Sequence, residues 1–300
     1  MEELFNFELT WQLIRDDEYV RTALLAAAIL GLVAGVLGPL IVSRNMAFAV
    51  HGTSELSFTG GAAALLIGIN IGYGALIGAV VAALIMGLLS RRSSEHDSVI
   101  GVLLAFGLGV GVLLLWFYPG RASNKFGLLV GQIVGVDFAS LALLSVCAVG
   151  VFVVLAVIYR PLLFASVDAE LARARGVPTR ALAAIFAVLV GIATALGVQT
   201  VGALLVLSLM VTPGAAAARV TASPLRATLL AVVFAEIAAV GGIVLSLAPG
   251  APVSAFVCTI SFVIYVICWT ISVARGRPRK LTGGSAIEPA GRRESVVVSR

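Results

Sequence analysis

The stretch MAFAVHGTSELSFTG, Met46 to Gly60, sets His51 and Glu55 four residues apart in a segment otherwise built of apolar and small residues. Residues at i and i+4 share one helix face, one turn apart, so an imidazole and a carboxylate placed there point the same way. The surrounding chain is membrane-like: of 300 residues, 60% are hydrophobic and only 12% charged, against roughly 25% charged in soluble domains. Its mean hydropathy is +1.11. An ionisable residue at a bilayer centre costs roughly 3 kcal/mol, so such residues face a protein interior or an aqueous path and mark functional sites. The plainer alternative is that His51 and Glu55 bond each other or the backbone as buried polar glue.

Outward from that stretch, apolar runs of about 20 residues recur, and each would span a hydrocarbon core of roughly 30 Å as a helix. Helices satisfy their own backbone in lipid, and the strand alternation of a barrel is absent. The fold class is therefore all-α, a polytopic membrane protein with about nine segments near 21–43, 46–69, 71–90, 97–118, 127–158, 181–197, 199–219, 225–247 and 251–273. Gly60-Gly61 interrupts the second run, and Asn70 to Gly74 leaves almost no loop before the third, so these two read as a broken pair. Residues 1–19 carry six acids and one base, with Phe5, Phe7 and Trp11 interleaved. The basic start of a signal peptide is missing, and an interfacial amphipathic lead-in is expected.

The net charge of +5 does not point to nucleic acid. Seven of the twenty basic residues lie at Arg275, Arg277, Arg279, Lys280, Arg292, Arg293 and Arg300, a tail that reads as a cytoplasmic flank able to touch anionic lipid. From Leu281 onward no core pattern remains, and residues 275–300 read as a disordered basic tail around the 20–274 membrane domain. Arg44, Arg91-Arg92, the 160–180 connection, Arg219 and Arg226 alternate as cytoplasmic, which puts the acidic N-terminus outside and the C-terminus inside. Arg121 and Lys125 count against that scheme. Cys147, Cys258 and Cys268 lie in spans without C-x-x-C spacing and read as small core residues. Gly31 with Gly35, Gly107 with Gly111, and Gly127, Gly131 and Gly135 are spaced for close helix packing.

The longest internal polar connection runs from Tyr159 to Arg180. Within it, Asp168 followed by AELARAR and closed by Gly176 and Pro178 reads as a short capped helix, acids first and bases last. Pattern alone leaves a mere connection and an interaction site equally open. Glu95, His96 and Asp97 form a second polar cluster at a membrane edge, either a solvated helix start or a metal relay. Glu236, mid-segment in the eighth run, reads as a residue that bonds to a neighbouring helix.

VDAELARARGVP, at 167–178, resembles the coupling segment of bacterial ATP-binding-cassette (ABC) permeases for divalent metals, the zinc and manganese uptake family. SRNMAFAVHGTSELSFTG, SVIGVLLAFGLGVGVLLL, FGLLVGQIVGV and VGALLVLSLMVTPGAAA resemble further blocks of that family in the right order, over about residues 20–270. The resemblance implies that His51 and Glu55 touch the metal; Glu95, His96 and Asp97 stand as secondary metal candidates on their clustering alone. The family carries an Asp and then a His at those two positions; here both ligand types are kept and their order is exchanged. One imidazole and one carboxylate suit Mn²⁺, Fe²⁺ or Zn²⁺ rather than Cu⁺, with water, Thr53, Ser54 or a symmetry mate completing the shell.

The resemblance further implies a permease homodimer in the bacterial cytoplasmic membrane, fed by an extracytoplasmic solute-binding protein and driven by a cytosolic ATPase that docks on Asp168, Glu170, Ala172 and Gly176. No G-x-x-x-x-G-K-[ST] occurs in the chain, so ATP would act through the partner and the chain is not an enzyme; no permanently bound cofactor is expected. The alternatives are an ion-coupled secondary transporter or channel, or an ABC permease for an organic metal chelate.

Overall fold

The computed structural model describes residues 7–89, 96–120, 138–249 and 252–276. All regular structure among them is helical: α1 (Phe7–Asp16), α2 (Glu18–Ser43), α3 (Ala47–Ile67), α4 (Ile71–Leu89), α5 (His96–Phe117), α6 (Phe138–Val167), α7 (Ala169–Ala174), α8 (Thr179–Val201), α9 (Ala203–Val220), α10 (Pro224–Leu247) and α11 (Val253–Ala274). Each of the nine expected segments overlaps one of the long helices. Among the described residues six helices are long and apolar enough to cross a membrane outright, and Ile71–Met86 of α4 and Val206–Val220 of α9 form shorter apolar helices. α3, at 21 residues, belongs to neither group because His51, Glu55 and four hydroxyl residues dilute it.

α3 sits among α4, α5, α8 and α9, while α2 packs on α9 and α10, and α11 closes the far side against α9 and α10. The main core is an aliphatic cluster running from α2 through α3, α6 and α8 to α10, with Phe58 and Phe186 fully enclosed. Outward faces are apolar too: Val102 and Phe106 on α5 and Val149, Val153 and Val157 on α6 are exposed, as lipid-facing side chains are. Trp11, Tyr19, Tyr73, Trp116 and Phe117 are exposed near helix ends, where aromatic belts form.

The expected break at Gly60-Gly61 does not occur: α3 runs unbroken from Ala47 to Ile67. In lipid no water competes for the backbone, so glycine serves close helix approach rather than interruption. A Cβ on Gly60 would strike the carbonyl of Gly74, and one on Gly78 would strike the carbonyl of Leu56. α3 and α4 thus meet backbone to backbone.

The short α3–α4 connection is also resolved by chemistry. Gly68, at φ 82°, ends α3 with its N–H donating to Ala64 and Leu65 carbonyls, and Ile69 N–H returns to Ala64 O at 3.0 Å. This left-handed cap suits glycine. Asn70 Oδ1 then accepts from Gly72 N–H at 2.8 Å and starts α4. Gly202, at φ 89° and ψ 155°, separates α8 from α9 in a conformation that belongs almost solely to glycine.

The glycine pairs pack as expected where they are described. Gly31 and Gly35 of α2 face Glu236 and Val232 of α10, and Gly107 and Gly111 of α5 face Glu55 and Phe58 of α3. Gly127, Gly131, Gly135, Arg121 and Lys125 lie outside the described residues. α6 differs from expectation at its end: it continues through Pro161 to Val167, nine residues beyond the expected boundary at 158. The polar connection accordingly begins at Asp168. Cys147 and Cys258 are half-buried and Cys268 is buried, all as free thiols.

Candidate functional site: a polar pair inside α3

Glu55 lies eight residues into α3, about 12 Å along a helix about 30 Å long, which puts it near the middle. It is buried, at 4% exposure, whereas His51 keeps part of its surface open. α5 crosses directly over Glu55: a Cβ on Gly107 would lie 3.1 Å from the Glu55 Cβ. Thr59 Oγ1 fastens the crossing, donating to Gly107 O at 2.6 Å while also lying 2.8 Å from Glu55 O. On the α4 side, Ser57 Oγ donates to Ala75 O at 3.0 Å.

The pair does not behave as polar glue. His51 Nδ1 and Glu55 Oε2 are both buried and neither has a hydrogen-bond partner. Buried polar atoms are nearly always partnered, so two orphans on one helix face call for an explanation such as an absent ion or water. The hydroxyls nearby are turned to the backbone: Thr53 donates to Ala49 O at 2.7 Å and Ser54 to His51 O at 2.7 Å. Their oxygens keep lone pairs, but their protons are committed. Among the described residues no third His, Cys, Asp or Glu joins the pair, so a cation held here would draw further ligands from hydroxyls, water or another chain.

The secondary candidates fare differently. Glu95 lies outside the described residues, and His96 and Asp97 begin α5 without described side chains. Glu236 does not make the expected bond through Oε1, which is buried without a partner against Gly31 of α2.

The expected loop helix is present as α7, capped as the sequence suggests. Asp168 Oδ1 accepts from Glu170 N–H at 3.0 Å and Leu171 N–H at 2.9 Å, and Gly176 closes the turn at φ 82°. Ala172 is fully buried and anchors α7, leaving Asp168, Glu170 and Leu171 exposed. The structure therefore gathers Asp168, Glu170, Ala172 and Gly176 on one short surface element, apart from α3. Sequence reasoning missed Leu171, an apolar side chain 47% exposed on a polar helix. It also missed Thr59, Gly74 and Gly78; the small-residue spacing of 74 and 78 was the available signal for the last two.

A helical bundle with an unsatisfied polar pair inside one central helix, and a punctuated surface helix between two spans, defines a polytopic transport protein of permease type. The chain belongs to the ABC 3 transport family, which it matches over residues 16–272. It is 30% identical over 261 residues to the manganese transport system membrane protein MntC of Halalkalibacterium halodurans, covering 86% of this chain and 89% of that protein. It is 28% identical over 251 residues to MntC of Listeria innocua, covering 82% and 89%. In fold it is similar to a chain of PsaBC from Streptococcus pneumoniae in complex with Fab, with a TM-score of 0.79 at 22% identity, covering 87% of this chain and 94% of that one. The protein is thus a multi-pass membrane subunit of an ABC transporter, a transport subunit rather than an enzyme, and one part of a larger complex.

Proposed function

We propose that this permease imports a divalent metal ion, Mn²⁺ foremost, with His51 and Glu55 as the side chains that meet the cargo. The observation that carries this reading is the pair of orphaned atoms, His51 Nδ1 and Glu55 Oε2, buried on one face of α3, Glu55 near its middle and His51 one turn closer to its start. An imidazole nitrogen with a carboxylate oxygen matches the ligand preference of Mn²⁺, Fe²⁺ and Zn²⁺, and the MntC relatives are named for manganese transport. Two protein ligands suit a site that must bind and also release. The tight α5 crossing at Gly107, with little room for even a Cβ beside Glu55, supports a bare ion over an organic chelate.

The remaining assembly follows from the same reading. Two copies form the pathway in the cytoplasmic membrane, a cytosolic ATPase docks on α7 of each, and an extracytoplasmic binding protein delivers the ion. ATP binding at the ATPase favours one orientation of the permease dimer, and hydrolysis releases it. The basic connections face the cytoplasm and the acidic N-terminus faces outward. Membrane lipid contacts the apolar outer faces and the basic 275–300 tail, and ATP acts only through the partner.

The test is uptake of radioactive Mn²⁺ by cells that depend on this system. His51→Ala and Glu55→Ala abolish uptake while leaving the amount of membrane-inserted protein unchanged; full transport by both variants would refute the assignment.

A further inference from the structure

α2 ends and α3 begins within three residues, and Arg44 stands at that corner. Asn45 adopts φ 55°, Asn45 N–H donates to Val42 O at 3.2 Å and Met46 N–H to Ile41 O at 2.9 Å. This double bond around a left-handed residue is a Schellman cap, which asparagine can fill in place of glycine. Val50 N–H already returns to Met46 O at 3.1 Å, so α3 starts at once. The corner is rigid, and His51 lies five residues beyond Met46.

The Arg44 side chain reaches away from this corner to both legs of the α7 loop. Its Nη1 donates to Ser166 Oγ at 2.9 Å, near the end of α6 and two residues before the Asp168 cap. Ser166 Oγ in turn donates to Leu162 O at 2.7 Å. The guanidinium also lies over the Phe186 ring at 5.5 Å, on α8, the helix that leaves the loop. Phe186 is fully buried and so forms a fixed seat. A hydroxyl at the edge and an aromatic face beneath suit a planar guanidinium better than an ammonium, because the guanidinium stacks flat while donating sideways. The similar Arg219–Tyr265 contact, at 3.0 Å, joins α9 to α11 with no loop helix between them.

We propose that Arg44 is a positioning residue that carries movement of the α7 loop to the start of α3, and through it to His51 and Glu55. This rests on the reading of α7 as the ATPase dock. One side chain grips the helix entering the loop and the helix leaving it, and its backbone is the cap from which the site helix grows.

The experiment uses the complete complex with its ATPase and binding protein in proteoliposomes, with spin labels at exposed Phe48 of α3 and Leu229 of α10 and Mn²⁺ as cargo. In the parent chain ATP changes the label separation. Arg44→Gln loses that change while ATP is still hydrolysed, and the ATP hydrolysed per Mn²⁺ carried rises about tenfold, within the usual range for coupled sites. Ser166→Ala, which removes only a hydroxyl, shifts both readouts the same way by a smaller factor, and decides the matter where Arg44→Gln fails to assemble. Arg44→Lys does not restore coupling. A label shift and an ATP-to-metal ratio that match the parent, even at lower total activity, would overturn the proposal and leave Arg44 a stabilising residue only. A parent complex that shows the ATP-driven shift but carries none of Mn²⁺, Fe²⁺ and Zn²⁺ overturns the metal reading and leaves the role of Arg44 standing.

Discussion

Gly31 of α2 makes room for the carboxyl group of Glu236 of α10: a methyl group on Gly31 would sit 2.8 Å from Glu236 Oε1 and 3.4 Å from its Cα. One turn on, a methyl group on Gly35 would strike the Val232 backbone instead, with its nitrogen at 2.7 Å. A carboxyl tip can swing aside and a helix backbone cannot. Gly31→Ala is therefore expected to be mild, whereas Gly35→Ala forces α2 and α10 apart and costs about 1–3 kcal/mol, as overpacking does. Thermal unfolding of the purified protein in detergent ranks the two.

Gly107 and Gly109 lie two residues apart on α5 and meet opposite surroundings. A Cβ on Gly107 would press on Glu55 at 3.1 Å, and one on Gly109 would meet nothing within 4 Å. Gly107→Val is expected to displace Glu55 and abolish Mn²⁺ uptake, while Gly109→Ala leaves uptake at the parental level. Equal loss in both would mean that α5 tolerates no change at all and would remove the link between Gly107 and the polar pair.

The exchanged order of imidazole and carboxylate is directly testable. His51→Asp combined with Glu55→His sets the order that the family resemblance implies and keeps one ligand of each type. The double variant is expected to retain uptake, with its preference among Mn²⁺, Fe²⁺ and Zn²⁺ altered in competition assays. Either single change leaves two carboxylates or two imidazoles facing each other and lowers uptake below the double variant.

Asp168 caps α7 through a single oxygen that accepts two backbone N–H groups. Asp168→Ala removes the cap at a cost of about 1 kcal/mol, large for a helix of six residues. Recovery of the ATPase with the purified permease is expected to fall with Asp168→Ala and to persist with Asp168→Asn or Asp168→Ser, which cap by the same bond. Loss in all three would assign Asp168 to the contact itself rather than to the fold of α7.

The spans were legible because lipid demands long apolar runs, and α7 was legible because caps and charges are local chemistry. What escaped the sequence was tertiary. Gly60-Gly61 suggests a break in the one-dimensional pattern, but the contact of Gly60 with Gly74 of α4 decides its role. Tyr159 and Arg160 looked like the end of a span, yet α6 carries them and Pro161 on to Val167. The (i, i+4) spacing put His51 and Glu55 on one face, but whether they bond is a matter of side-chain rotamers, and the orphaned atoms answer it. In sequence Arg44 signals only orientation, because its partner Ser166 lies 122 residues away and beyond any local pattern.

The backbone contact between α3 and α4 limits how the site can open. At Gly60 against Gly74 and at Gly78 against Leu56 the two backbones meet directly, and Ser57 ties them once more across to Ala75 O. Packed backbones interlock and do not roll smoothly past one another. Turning α3 about its own axis to hide or present His51 and Glu55 would break these contacts. Tilting α3 and α4 together as a two-helix lever keeps these contacts, and that is the motion expected to change access to the pair.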